Sequence, residues 1–357
     1  MVAVSGTGRR RAVGKLADIT GPGITDRWGA TCTDLGASVQ APNGTLVSVF
    51  GDTFSGSHVG HGDWRSPVVL IGTGDAGHRI RYQRAGGPDP DYAHQLWHYE
   101  HHNIAPGVAA LRARRGISTV IPSDLLRVGD ALYLHAIVNR GFGNVVWTEI
   151  WRSDDSGISW RSLGVKFPGR RHRGHAQCWS WDYDPDDGWV YVVSTGFQRD
   201  KGIVLSRVRP QDLGDPSKYV ARGRGATGRW RWGGDPVPIT PDGETWGELT
   251  LRRLAGGGWV LGGFLSSRYA LGYRVLGSPT TEVRDAPVQL PIVGTGWDSE
   301  DHGQGRVAQL YGGYLLPGSR LDHPGGVGLL VSQWNTAQGW PYRVMQFRAT
   351  LRSSAQL

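Results

Sequence analysis

Cysteine and methionine appear only twice each in 357 residues, and charged residues make up only 20%. Cys32 and Cys178 lie far apart, and neither sits in a CxxC-type metal spacing, so a zinc module and a disulfide scaffold are both excluded as organising principles. The two are expected to be buried free thiols. No run approaches the ~18 apolar residues of a membrane helix, so no membrane insertion is expected. The N-terminal MVAVSGTGRRRAVGKLADITGPG has no apolar core of a secretory leader. HExxH and GxSxG are missing. No Gly-rich stretch links a strand to a helix, so a phosphate-cradling loop is not expected. No cofactor and no metal are expected.

What is abundant is glycine, 55 residues, and tryptophan, 16. Gly, Trp, Val and Thr in place of helix formers describe a turn-rich all-β chain. Net charge is +8 and Arg far outnumbers Lys. Outside GRRHRGH at 169–175 and RRR at 9–11, the Arg are scattered (Arg79, Arg127, Arg152). With no recognition helix and no RNA-binding aromatic signature, nucleic acid is not the expected partner. The charge fits a weak attraction to an anionic envelope.

No Pro/Ser linker divides the chain, and strand–turn–strand units recur at 28–74, 116–160, 175–209, 246–275 and 306–351. The single domain expected over 1–357 is a five-bladed β-propeller, with an extended insertion at 75–115. A pair of β-sandwiches is the alternative. Ser153–Trp160, SDDSGISW, fits the Asp-box turn S-x-D-x-G-x-x-W seen in sialidases and other propellers. There Asp155 bonds turn amides, Gly157 takes positive φ and Trp160 packs beneath, a structural role on the blade periphery.

First strands of propeller blades surround a central channel, so acids on them converge in one funnel. The hairpin TDLGASVQAPNGTLVSVFGDTF carries Asp34 and Asp52 on its two arms. A turn centred on Asn43–Gly44 puts Asp34 opposite residue 52 or 53, with Cβ atoms about 5 Å apart. Two carboxyls that close cannot both ionise easily, which makes a proton donor beside a charged partner. In the alternative, Asp52 caps a turn or the two face apart. Glu248, in GELTLRR, begins the first strand of the fourth unit and completes a two-sided carboxylate site, unless it pairs with Arg252 or Arg253. Asp124, in IPSD, holds the equivalent place in the second unit, as a sugar ligand or as a turn cap.

Trp28, Trp179, Trp181, Tyr311, Tyr314 and Trp334 lie near inner-strand ends. Their faces suit sugar C–H surfaces, with core packing the structural alternative for each. Gln333 and Asn335 of SQWN, and Gln177, offer amides to hydroxyls. His101, His102, His58 and His61 match no zinc spacing; they read as loop histidines near the funnel mouth, with His102 a candidate substrate contact.

In order, FGDTF, IPSD, SDDSGISW, DGWVYVVSTGFQRDKGIVLSRV, GELTLR, YGGYLLPGS and VSQWN…PYRVMQF resemble the five-bladed β-propeller endo-D-arabinanases, glycoside hydrolases first grouped as a domain of unknown function. The similarity runs from about Thr33 to Arg348. It implies cleavage of α-D-arabinofuranosyl linkages in the D-arabinan of actinobacterial arabinogalactan and lipoarabinomannan. The family's acidic positions fall on Asp34, Asp52 and Glu248; Asp124 and SQWN would line the funnel. The 75–115 insertion and RRHRGH match no family pattern.

An acid–base pair across the funnel, Glu248 against Asp34/Asp52 with a water between, implies inversion, for which carboxyls stand about 6.5–9.5 Å apart. The expectation is an endo-acting monomeric enzyme working outside the cell on the envelope, as a phage virion or lysis component or as a secreted enzyme whose leader has been removed. Other readings are a non-catalytic glycan-binding module of a phage or wall protein, and a sialidase-like hydrolase, whose Arg triad is not assembled by any spacing here.

Overall fold

The computed structural model describes residues 13–99, 116–141, 143–323 and 325–353. Strand β1 (Val13–Asp18) comes first in the chain. Next come β2 (Cys32–Gln40), β3 (Leu46–Phe54), β4 (Trp64–Arg65), β5 (Val68–Thr73) and β6 (Arg81–Ala85); β2-β3-β5-β6 form the first sheet and β4 pairs with the end of β3. The second sheet is β7 (Thr119–Val128), β8 (Ala131–Asn139), β9 (Val145–Ser153) and β10 (Arg161–Pro168). The third is β11 (Cys178–Asp184), β12 (Trp189–Thr195), β13 (Val204–Val208), β14 (Val220–Arg224) and β15 (Trp230–Trp232). The fourth is β16 (Trp246–Arg253), β17 (Trp259–Leu265), β18 (Ala270–Leu276), β19 (Gln289–Thr295) and a short parallel β20 (Arg306–Ala308). The fifth joins β21 (Leu310–Leu315), β22 (Val327–Trp334) and β23 (Tyr342–Ala349) to β1.

Each sheet's first strand packs on the next sheet's first strand, in the cycle β2, β7, β11, β16, β21 and back to β2. The fold is a five-bladed β-propeller. Each blade is covered on both faces by its neighbours, so its middle strands read as continuous apolar runs, not alternations. Every residue of β8, ALYLHAIVN, is buried, as is every residue of β17, WVLGGFL. The cores lie between blades: Leu126, Tyr133 and Ile150 of the second pack with Trp179, Trp181 and Val192 of the third. Full burial of side chains such as Trp181, Trp246 and Phe50 contributes about 1.5–3 kcal/mol each.

Outer strands differ from the sequence expectation. Residues 81–85, read as part of an insertion, are the fourth strand of blade one. The third blade continues to Trp232 and the fourth to Ala308, while the fifth begins at Leu310 rather than at 306 and takes its last strand from residues 13–18. These strands are short and half-exposed, as in β6 and β15, and therefore carry no apolar run.

The Asp box forms the β9–β10 turn. Asp155 Oδ1 accepts from the Ser153 hydroxyl at 2.8 Å and from the Ser159 amide at 2.9 Å, and Gly157 has φ of 90°. A Cβ on Gly157 would meet Val47 of blade one at 2.8 Å, so the turn docks blade two against blade one.

Candidate active site

The inner strands all start at one end of the channel, and that end gathers Asp34 on β2, Cys178 on β11, Glu248 on β16 and Tyr311 on β21. The hairpin register sets the first acid. Thr33 faces Thr53 and Leu35 faces Phe50, so one residue of β2 stands against two of β3, and Asp34 lies against Gly51–Asp52. Leu35, at φ 67°, and Gly36, at φ 102°, make the bulge. Gly51 is required here: a Cβ would meet Asp34 Oδ1 at 2.5 Å. Asp52 accepts from the Trp64 indole at 3.1 Å.

Asp34 is 8% exposed, and its Oδ2 accepts from the Tyr311 hydroxyl at 3.1 Å. Burial first, and then the charge of Asp52, push the Asp34 carboxyl well above the ordinary carboxylate range; Tyr311 and Arg199 oppose this without reversing it. Burial and the neighbouring Asp34 likewise push the Tyr311 phenol well up, so it remains a donor. Burial and the charge of Asp52 both favour the protonated form of the Asp34 carboxyl.

Glu248 lies two blades from Asp34, with β21 of the fifth blade between them. Its partner is neither Arg252 nor Arg253 but Arg199, whose Nη2 is 2.5 Å from Glu248 Oε1. Arg199 sits in the β12–β13 loop at φ 59°, with its guanidinium 5.2 Å from the Phe264 ring and 5.6 Å from the Tyr311 ring. Gly247 makes room for it, since a Cβ there would meet the Arg199 side chain at 2.8 Å. A left-handed residue held between two rings is strain kept at a site. Asp34 Oδ1 and Glu248 Oε2 are buried and accept no hydrogen bond from the described residues. Leu35, Ser123, Cys178 and Tyr314 line a small cavity together with Glu248.

Several expected sugar contacts are corrected. Asp124 is fully buried on β7 and is held by Arg252 of β16, by Ser180 and by the Trp181 amide of β11. Trp28 is 2% exposed in the core of blade one, and Trp181 is fully buried beside His135 and Trp179, so neither ring offers a face to a ligand. Gln333 is fully buried, with its amide donating to Glu300 and accepting from Arg343. Asn335 is 3% exposed and donates to Gln338. Gln177 reaches the site end, but its amide bonds the Gly169 carbonyl and the Phe197 amide. Tyr311 and the half-buried Trp334 keep places at the mouth. His101 and His102 lie outside the described residues.

Sequence reasoning passed over Arg199 and Tyr342. Arg199 stands within the quoted motif STGFQRDKG, but in a chain rich in arginine its type carries no signal. Tyr342 packs 6.2 Å from Tyr311, and its amide donates to Cys32 Sγ at 2.9 Å. Burial pushes the Cys32 and Cys178 thiols up to about 12, so neither is a thiolate nucleophile at neutral pH. Both are free. Among the described residues no group of three or more His, Cys, Asp or Glu is placed to hold a metal ion.

The family described as "Domain of unknown function (DUF4185)" matches residues 20–348. An uncharacterized 35.9 kDa protein of Mycolicibacterium smegmatis is 29% identical over 342 residues, covering 90% of this chain and 93% of its own. Notoamide biosynthesis cluster protein J' of Aspergillus versicolor is 29% identical over 349 residues, covering 91% and 88%. Among solved structures, a Bacteroides ovatus protein superposes with a TM-score of 0.60 at 13% identity, covering 91% of this chain and 87% of that one. The GH43_1 enzyme of Xanthomonas citri complexed with xylotriose gives 0.53 at 12% identity, covering 91% and 89%. The Cellvibrio cellulosa alpha-L-arabinanase gives 0.51 at 12%, covering 88% and 91%. These superpositions show a shared propeller fold, and the family match covers nearly the whole chain: the protein belongs to the DUF4185 family.

Proposed function

We propose that this DUF4185 protein is a glycoside hydrolase that cleaves α-D-arabinofuranosyl linkages in D-arabinan, acting within the chain and with inversion. The observation that carries the reading is the pair of carboxyls at the channel mouth. One, Asp34, keeps its proton through burial and Asp52. The other, Glu248, is ion-paired to Arg199, and each has one oxygen that accepts no hydrogen bond from the described residues. Unequal carboxyls are general acid and general base equipment. Asp34 donates a proton to the leaving sugar oxygen while Glu248 takes one from the attacking water. Asp52 holds Asp34 protonated, and the Tyr311 hydroxyl fixes the carboxyl's orientation. The glycosidase neighbours on the same fold support hydrolysis of a glycan. The motif resemblance supports D-arabinan of arabinogalactan and lipoarabinomannan as the substrate, and with it an enzyme working on the cell envelope.

Purified D-arabinan is the test substrate. The wild type should release oligosaccharides, and Asp34→Asn and Glu248→Gln should each lower the rate about 10²- to 10⁴-fold while remaining folded. Proton NMR of the first-formed anomer should show inversion; net retention would overturn that part of the mechanism. Binding without release would leave a glycan-binding module instead.

A further inference from the structure

We propose that Trp340, backed by Trp334, forms a subsite at the channel rim that stacks on a pentose unit of a neutral glycan, beyond the position of cleavage. The proposal rests on the glycan reading of the site, which it extends to a residue that neither the motifs nor the carboxylate geometry assigns.

Three large apolar side chains are exposed among the described residues, and Trp340 is the most open, at 54% against 40% for Leu16 and 39% for Tyr269. Leaving half an indole in water forgoes burial free energy. The backbone is also held in a conformation unfavourable to a bulky residue, with φ of 72°. The surroundings enforce both. The Trp340 amide donates to the Asn335 carbonyl at 3.0 Å, and its own carbonyl accepts from the Trp334 indole at 3.0 Å and from the Val59 amide at 3.3 Å. On the other side of the loop, the Trp297 indole donates to the Thr336 hydroxyl at 2.8 Å. The loop is thus tied from two neighbouring segments, and it presents a ring already fixed for binding.

That ring leads to the acid. Trp340 packs edge-on against Trp334 at 5.2 Å, Trp334 against Tyr342 at 5.5 Å and Tyr342 against Tyr311 at 6.2 Å; Tyr311 then bonds Asp34. The aromatic run joins the rim to the reacting end of the channel, as a polymer lying across several subsites would require. Trp28, Trp147, Trp189, Trp230, Trp232 and Trp246 each have a cation over the ring; among the described residues Trp340 has none. An uncovered, rigid indole face suits the apolar C–H face of an uncharged sugar.

Trp340→Gly removes the ring and relieves the backbone, because glycine takes this φ freely, so its melting temperature should equal or exceed that of the wild type. In the inactive Asp34→Asn background, calorimetric titration with D-arabino-, L-arabino- and xylo-oligosaccharides of increasing length reads the subsite directly. Trp340→Gly should weaken binding of the preferred long oligosaccharide about tenfold, with the loss growing as the chain lengthens, and Trp340→Phe should retain most of the affinity. Equal affinities at every length in Trp340→Gly would overturn the proposal, as would a protein that binds none of the three series. If the wild type cleaves nothing yet binds one series in a Trp340-dependent way, the hydrolase reading fails and the subsite stands.

Discussion

Asp34 is buried beside a second acid, an arrangement that disfavours the charged form and so acts against the folded state whenever the carboxyl must ionise. The sign follows from proton counting. As pH rises past the ordinary carboxylate range, the unfolded chain releases this proton while the folded chain keeps it, so stability falls until pH passes the raised folded-state value and stays lower above it. Asp34→Asn removes that slope and still offers Tyr311 an acceptor. We expect the variant to melt about 1–3 °C above the wild type at pH 8, to match it near pH 3, and to be inactive at both. A lower melting temperature at pH 8 would mean that Asp34 is a structural acid. Under the proposed mechanism, a pH–rate profile should show activity falling as pH rises through the raised value of Asp34, because the donor loses its proton there.

At the scale of elements, Asp124 shows what first-strand acids do when they point into the ring wall. It sits on β7 and reaches Arg252 on β16 and Ser180 on β11, so three inner strands are latched by one buried ion pair. Removing one partner leaves a buried charge without its counterion. Asp124→Ala should therefore cost about 3–5 kcal/mol, read as a lower urea midpoint. A raised KM at unchanged stability would instead restore Asp124 to the substrate. The sequence could not separate Asp124 from Asp34, because both are acids on first strands and only the register decides which one faces the mouth. The hairpin around Asn43–Gly44 was readable because its partners are local, and the Asp box for the same reason. Glu248's partner was not: Arg199 comes from another blade, and the nearby Arg252 and Arg253 were equally good candidates by spacing.

At the scale of the whole molecule, the blade count was legible because each unit repeats an apolar pair of strands around a polar turn. The closure was not, because β1 has no apolar signature and its partner lies at the far end of the chain. β1 pairs antiparallel with β23, from Val13 opposite Ala349 to Asp18 opposite Met345. Just beyond it, the Ile19 amide donates to the Val344 carbonyl at 3.0 Å, and the Val344 amide donates to the Thr20 hydroxyl at 2.8 Å. The last blade is thus built from both ends of the chain, and the ring is fastened by hydrogen bonds where no covalent link runs. A chain beginning at Ile19 keeps every residue of the channel mouth but leaves the edge of β23 unpaired. At about 1 kcal/mol per ladder bond, the loss should be a few kcal/mol. Thermal melts should show the truncated protein several degrees lower, and a synthetic peptide of residues 13–18 added in excess should raise the melting temperature in a concentration-dependent way. An unchanged melting temperature would mean that blade contacts alone hold the ring, and that β1 only covers an edge.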